Sequence, residues 1–212
     1  MESVLDFFHR IYHFDELIRW GGHAALIAIV FAETGIMAGF FLPGDSLLVT
    51  AGLFAATGDL VLHRLLIELS LAAILGDSLS YAIGKRIGPS IFNKEHSIFF
   101  HKDHLRRAHA FYEKYGAKTI VIARFVPIVR TFAPVVAGVG MMSYSKFLLY
   151  NIVGGISWVF SMVLAGYWLG RSIPDIDKHV HKIILIVIFL SILPIVWEFW
   201  KEWRAKKSRS AP

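Results

Sequence analysis

Two long apolar runs in this chain are each broken by proline, and each carries two ionisable side chains. The first covers residues 24–57 and is interrupted by Glu33 and then by Leu42-Pro43-Gly44-Asp45. The second covers residues 119–142 and holds Arg124, Pro127, Arg130 and Pro134. One membrane helix needs about 20 apolar residues. The first run is therefore too long for one span and too short for two with a loop. A re-entrant hairpin, arriving and leaving on one side, fits that length, and the second run reads the same way. Broken backbone at membrane depth is tolerated only where protein buries it or water lines it. Both hairpins are thus expected to face an internal cavity.

Composition agrees with a membrane setting. The chain is 56% apolar and only 18% charged, against about 25% charged in an average soluble domain. It has no cysteine, which removes disulfides, thiolate catalysis and Cys-based zinc sites. The formal charge is +6. Its basic residues gather in residues 85–118 and in the tail, beside apolar segments, which suits an anionic phospholipid surface and argues against a nucleic-acid partner. Met1–Trp20 starts acidic and lacks the basic region of a signal peptide. Within it, Leu5, Phe8, Ile11, Tyr12 and Leu17 share one face. That face suits either an interfacial helix or an ordinary packing helix.

Full spans are expected at residues 60–84, 144–170 and about 183–200. Cytoplasmic segments carry the excess of Lys and Arg, which puts residues 85–118 and the C-terminus in the cytoplasm. The two hairpins then dip in from opposite faces. Tyr81-Ala-Ile-Gly84-Lys85 resembles Tyr167-Trp-Leu-Gly170-Arg171, and each closes a unit of amphipathic segment, broken hairpin and span. An odd number of spans between such units inverts them. The expected fold is an all-α integral membrane protein forming a single membrane domain. It comprises an inverted repeat of amphipathic helix, re-entrant hairpin and transmembrane helix, with repeat 1 at about 1–88 and repeat 2 at about 100–173. One extra C-terminal transmembrane helix and a basic tail, 201–212, follow.

Each ionised side chain at mid-bilayer costs at least ~2.5–3.5 kcal/mol. Glu33, Asp45, Arg124 and Arg130 must therefore be paired, hydrated or protonated, and acids in one hairpin against arginines in the other is the simplest arrangement. A purely structural role is one reading, but buried ion pairs are a poor route to stability. In the functional reading the arginines offer planar donor forks for a phosphate. A carboxylate withdrawn from water can exchange a proton, so Glu33 and Asp45 are candidates for proton coupling. Asp77 either extends that path or is a polar helix contact. Thr131 and Ser46 adjoin the charged positions and suit either headgroup binding or turn chemistry. His96, His101, His104 and His109 fit an interfacial loop, so neither a metal site nor a cofactor is expected. Gly-rich phosphate loops and hydrolase triads are absent from the sequence.

The run Phe31-Ala-Glu33-Thr34, followed by Phe41-Leu-Pro43-Gly44-Asp45-Ser46-Leu47-Leu48, resembles the first signature of the DedA family of bacterial membrane proteins. Ala123-Arg124-Phe125-Val126-Pro127-Ile128-Val129-Arg130-Thr131, with Ala137-Gly138 beyond, resembles the second. Gly76-Asp77-Ser78-x-x-Tyr81-x-x-Gly84 is similar to the intervening span, and the likeness covers roughly residues 15–173. The resemblance implies a fold like that of VTT-domain lipid scramblases and location in the bacterial cytoplasmic (inner) membrane. It also implies a transporter that translocates undecaprenyl phosphate or a similar polyprenyl phosphate with proton coupling. An enzyme acting on a lipid phosphate ranks last, because the His or Asp nucleophile set it needs is missing from the sequence, so no enzymatic activity is expected. The family's acid pair and arginine pair map onto Glu33, Asp45, Arg124 and Arg130. Two alternatives stay open: a proton-coupled transporter of a small ion or solute, and a non-transporting assembly or envelope-homeostasis factor. Homo-oligomerisation is left open too.

Overall fold

The computed structural model describes residues 14–36, 44–92 and 118–173. The expected span at 183–200, the basic tail, most of the 85–118 segment and residues 1–13 lie outside them. Every regular element among the described residues is a helix, without a strand: α1 Phe14–Gly35, α2 Gly44–Thr57, α3 Leu62–Phe92, α4 Thr119–Ala123, α5 Pro127–Val139 and α6 Tyr144–Ser172. Two stretches, Leu62–Ile87 and Tyr144–Ser172, are long and apolar enough to cross a membrane. The apolar helices Gly21–Gly35 and Gly44–Thr57 reach only about 20 Å each, short of a hydrocarbon core about 30 Å thick.

Beyond its apolar core, the protein also carries apolar side chains on its outside. Ile67, Leu71, Leu75 and Leu79 form an exposed stripe at i, i+4 spacing on α3, while Leu149, Ile152, Val153 and Ile156 are exposed on α6. Glu33, Asp77, Arg124 and Asn151 are buried. An apolar outside, with the charged groups withdrawn into the interior, is what lipid as solvent selects.

Local chemistry explains where the helices break. Gly22 sits at φ 49°, in the left-handed region, and kinks α1 at the start of its apolar stretch Gly21–Gly35. Between α4 and α5, Val126 is extended (φ −114°, ψ 106°) because Pro127 follows it. Proline then occupies the first turn of α5, where no intrahelical donor is needed. Pro134 inside α5 deprives the Arg130 carbonyl of its usual helical donor.

Helix α1 runs beside α3 in the same direction. His23 Nδ1 lies 2.5 Å from Glu68 Oε2 near one end, and the Ser80 hydroxyl donates to the Thr34 and Gly35 carbonyls at the other. A four-residue turn, in which Asp59 and Leu60 N–H groups both donate to the Phe54 carbonyl, returns α2 to the start of α3. Sequence reading ends the first full span at Gly84, but α3 continues to Phe92. Gly84 serves close packing there: a Cβ would strike the Val135 backbone of α5.

That contact occurs twice. On α3 and α5, Gly138 lies against the Tyr81 carbonyl and Lys85 nitrogen, and Gly84 against Val135. On α6 and α2, Gly52 lies against the Val163 carbonyl and Tyr167 nitrogen, and Gly166 against Val49. The spacings are identical: three residues from valine to glycine on the short helix, three from carbonyl to glycine on the span. The match pairs Tyr81 with Val163, one turn away from the Tyr-x-x-Gly alignment visible in the sequence.

Any side chain at Gly84 or Gly166 must push two backbones apart, and such overpacking costs about 1–3 kcal/mol or more. Gly166→Leu and Gly84→Leu should each lower folded yield and unfolding temperature in detergent, while Leu75→Val on the lipid face leaves both unchanged. An unaltered melting curve for Gly166→Leu would rule out the close approach.

Candidate functional site

The two breaks bring their charged residues together against the middles of α3 and α6. Arg130, on the first turns of α5, divides its fork. Nη1 donates to Asp45 Oδ1 at 2.5 Å, and Nη2 donates to Glu33 Oε1 at 2.6 Å. The guanidinium also lies over the Trp158 ring, 4.7 Å from its centroid, and the indole Nε1–H donates to Asp45 Oδ1 at 2.8 Å. Trp158 thus supports both members of one ion pair, as a ring face to the cation and a donor to the anion.

Arg124 makes a separate set. Its Nη2 donates to Asp77 Oδ2 and, at 2.5 Å, to Asn151 Oδ1. Asn151 in turn donates from Nδ2 to the Ile74 carbonyl at 3.0 Å. Gly154 and Gly155 of α6 make room for this side chain, since a Cβ at Gly154 would come within 3.0 Å of Arg124 Cδ. Room is also made for Glu33. Gly44 opens α2, and a Cβ there would overlap the Glu33 carboxylate, whose Oε2 is buried with no hydrogen-bond partner.

The sequence divides acids and arginines between two hairpins, two against two. The structure groups them differently. Among the described residues, Arg130 holds both Glu33 and Asp45, and Asp77, from a span, is the partner of Arg124. Three carboxylates therefore face two guanidiniums, so the cluster carries one excess negative charge when all are ionised, and one bound proton makes it neutral. Thr131 lines a small cavity with Glu33, Thr34, Asp77, Arg124 and Arg130, large enough for a single water molecule. Ser46, the other hydroxyl singled out by sequence, is buried one residue beyond Asp45 without a partner.

Asn151 and Trp158 were not legible as site residues. Their one signal is a shared face: they lie seven residues apart in an apolar span, flanking Gly154-Gly155. Nothing in that spacing says that a charged group from a distant helix fills the gap.

Charged side chains gathered at the mid-length of two apolar spans, among broken helices, define a polytopic helical membrane protein of transporter type. The chain belongs to the DedA family of VTT-domain membrane proteins. The VTT domain matches residues 42–168. "Protein DedA" of Escherichia coli K12 is 44% identical over 208 residues, 95% of this chain and 94% of that protein. An uncharacterized membrane protein of Mycobacterium tuberculosis is 47% identical over 88% of this chain and 82% of its own length. "Inner membrane protein YqjA" of Escherichia coli is 31% identical over 81% of this chain and 78% of its length. No solved structure matches the chain.

Removing one member of a buried pair strands the other, at a cost of about 3–5 kcal/mol. Arg130→Ala should therefore destabilise the folded protein more than Arg130→Ala combined with Glu33→Gln and Asp45→Asn. Thermal unfolding in detergent measures the difference. Equal loss in the single and triple variants would show that the charges do not sense one another.

Proposed function

We propose that this protein carries a polyprenyl phosphate, such as undecaprenyl phosphate, across the bacterial cytoplasmic membrane, using proton uptake to free its phosphate-binding arginine. One observation carries the reading: the Arg130 fork is filled by two carboxylates of a different broken helix pair. A guanidinium fork suits phosphate oxygens as well as carboxylate oxygens. Protonation of Glu33 and Asp45 removes the competing anions, and a lipid phosphate then takes their place on Arg130, with Thr131 and Arg124 adjoining it. Departure of the phosphate lets the acids ionise and close the fork again.

The architecture in this reading is an inverted pair of re-entrant hairpins, α1–α2 and α4–α5, each leaning on the span of the other unit. The repeated glycine contact supports it, because α2 crosses α6 as α5 crosses α3. So does the parallel course of α1 and α3, which brings the first hairpin back to the side it started from. Inverted units rocking about a mid-membrane site are the usual basis of alternating access. The C-terminus is cytoplasmic in this arrangement. The single-water cavity favours a second reading, transport of a small ion, and the same assay separates the two.

The assay uses proteoliposomes containing a fluorescent short-chain polyprenyl phosphate and an imposed pH gradient. Wild-type protein should move the lipid between leaflets. Arg130→Lys keeps the charge but loses the fork, and should slow movement at least tenfold. Glu33→Gln should move lipid with weakened dependence on the gradient. Movement of a soluble anion without labelled lipid would replace this reading by the second.

A further inference from the structure

Hydroxyls on the described helices mostly find a carbonyl. Thr34, Ser78, Ser157 and Ser172 donate to the one four residues earlier, Thr57 and Ser161 to the one three residues earlier, and Ser80 to the Thr34 and Gly35 carbonyls of α1. Ser46, Thr50 and Ser70 find none. All three are buried, at 0%, 0% and 5% exposure, and none has a hydrogen-bond partner in the protein. Buried hydroxyls without partners destabilise a fold unless water satisfies them.

Their placement is not scattered. Ser46, Thr50 and Thr57 recur at i, i+4 and i+11 and so form one stripe along α2. Ser70 lies seven residues before Asp77, on the same face of α3. Helices α2 and α3 meet at the short turn after Thr57, and their apolar residues share one core. Measured from that turn at about 1.5 Å per residue, Thr50 and Ser70 both lie about 10–12 Å deep. Ser46 lies about 16 Å deep, and Asp45 and Asp77 about 18 and 22 Å. The rim itself is polar, for Thr57 donates to the Asp59 carboxylate there. The hydroxyls therefore occupy the depths between a wet rim and the charged cluster, and Glu33 Oε2 waits unpartnered at the inner end.

We infer that Ser46, Thr50 and Ser70 line a water passage between the Thr57–Leu62 turn and the Glu33–Asp45–Asp77 cluster, through which protons reach the acids. It rests on the reading that these acids exchange protons, and it adds the route and the side. Water hydrogen-bonded along the three hydroxyls supplies the partners they lack. The acids on Arg130 and the Asp77–Arg124 pair lie at its inner end, so a proton arriving there meets the groups whose charge decides what Arg130 holds.

The natural absence of cysteine allows a direct test. Single variants Ser46→Cys, Thr50→Cys and Ser70→Cys, with Leu69→Cys as a buried apolar control and Asp59→Cys as an exposed one, are reconstituted in liposomes. A small charged methanethiosulfonate is then applied from each side. Thr50→Cys and Ser70→Cys should react at least tenfold faster than Leu69→Cys, and only from the side on which Asp59→Cys reacts. Rates equal to that of Leu69→Cys overturn the passage. In a second measurement on liposomes, the infrared carboxyl band is followed after a rapid pH step on the side where Asp59→Cys reacts; Thr50→Val should slow its change at least fivefold while Ser172→Ala does not, and an unslowed change in Thr50→Val overturns the passage as well. Neither readout needs a lipid substrate. Labelled cysteines together with immobile lipid phosphate would remove the proposed function and leave the passage standing.

Discussion

A guanidinium shared by two carboxylates is the constraint around which the rest of this molecule is arranged. Arg130 cannot shed its charge, and in an apolar interior it cannot be left without anions. Glu33 and Asp45 supply them, each taking one arm of the fork. Because these acids belong to a different helix pair, the bond ties the two broken regions together across the centre of the protein. Trp158 fixes the geometry from a third direction, since one ring faces the cation and its N–H holds the anion.

Small residues make that meeting sterically feasible. Gly44 leaves space for the Glu33 carboxylate, and Gly154 and Gly155 leave space for Arg124. Gly52, Gly84, Gly138 and Gly166 let short helices approach the spans backbone to backbone. In lipid, where burying apolar surface between helices yields little, such close contact and polar bonding are the main sources of cohesion. The same glycines that admit the charged groups therefore hold the frame that keeps them aligned.

Much of this was legible from the chain. Pro127 beside Arg124 and Arg130 marks a break in apolar surroundings, and the structure has one there, with Val126 extended as a pre-proline residue must be. The charge content of the runs likewise marks Glu33, Asp45, Arg124 and Arg130 as costly groups needing partners. What sequence spacing does not carry is who pairs with whom. Asp77 joins Arg124 because α3 and α6 bring Ile74, Asn151 and Gly155 together at that depth, a tertiary relation with no local signature. Gly84 misleads for a related reason. A glycine followed by basic residues reads as a helix end, whereas here it is a packing surface inside a continuing helix.

If Arg130 alternates between carboxylates and phosphate, the acids must change protonation when phosphate binds. Infrared difference spectroscopy on the purified protein, taken on adding a short-chain polyprenyl phosphate, reads this directly. The account predicts a protonated-carboxyl band that appears with the ligand and is diminished in Glu33→Gln and in Asp45→Asn. Phosphate binding to wild-type protein with no change in the carboxyl region would contradict it.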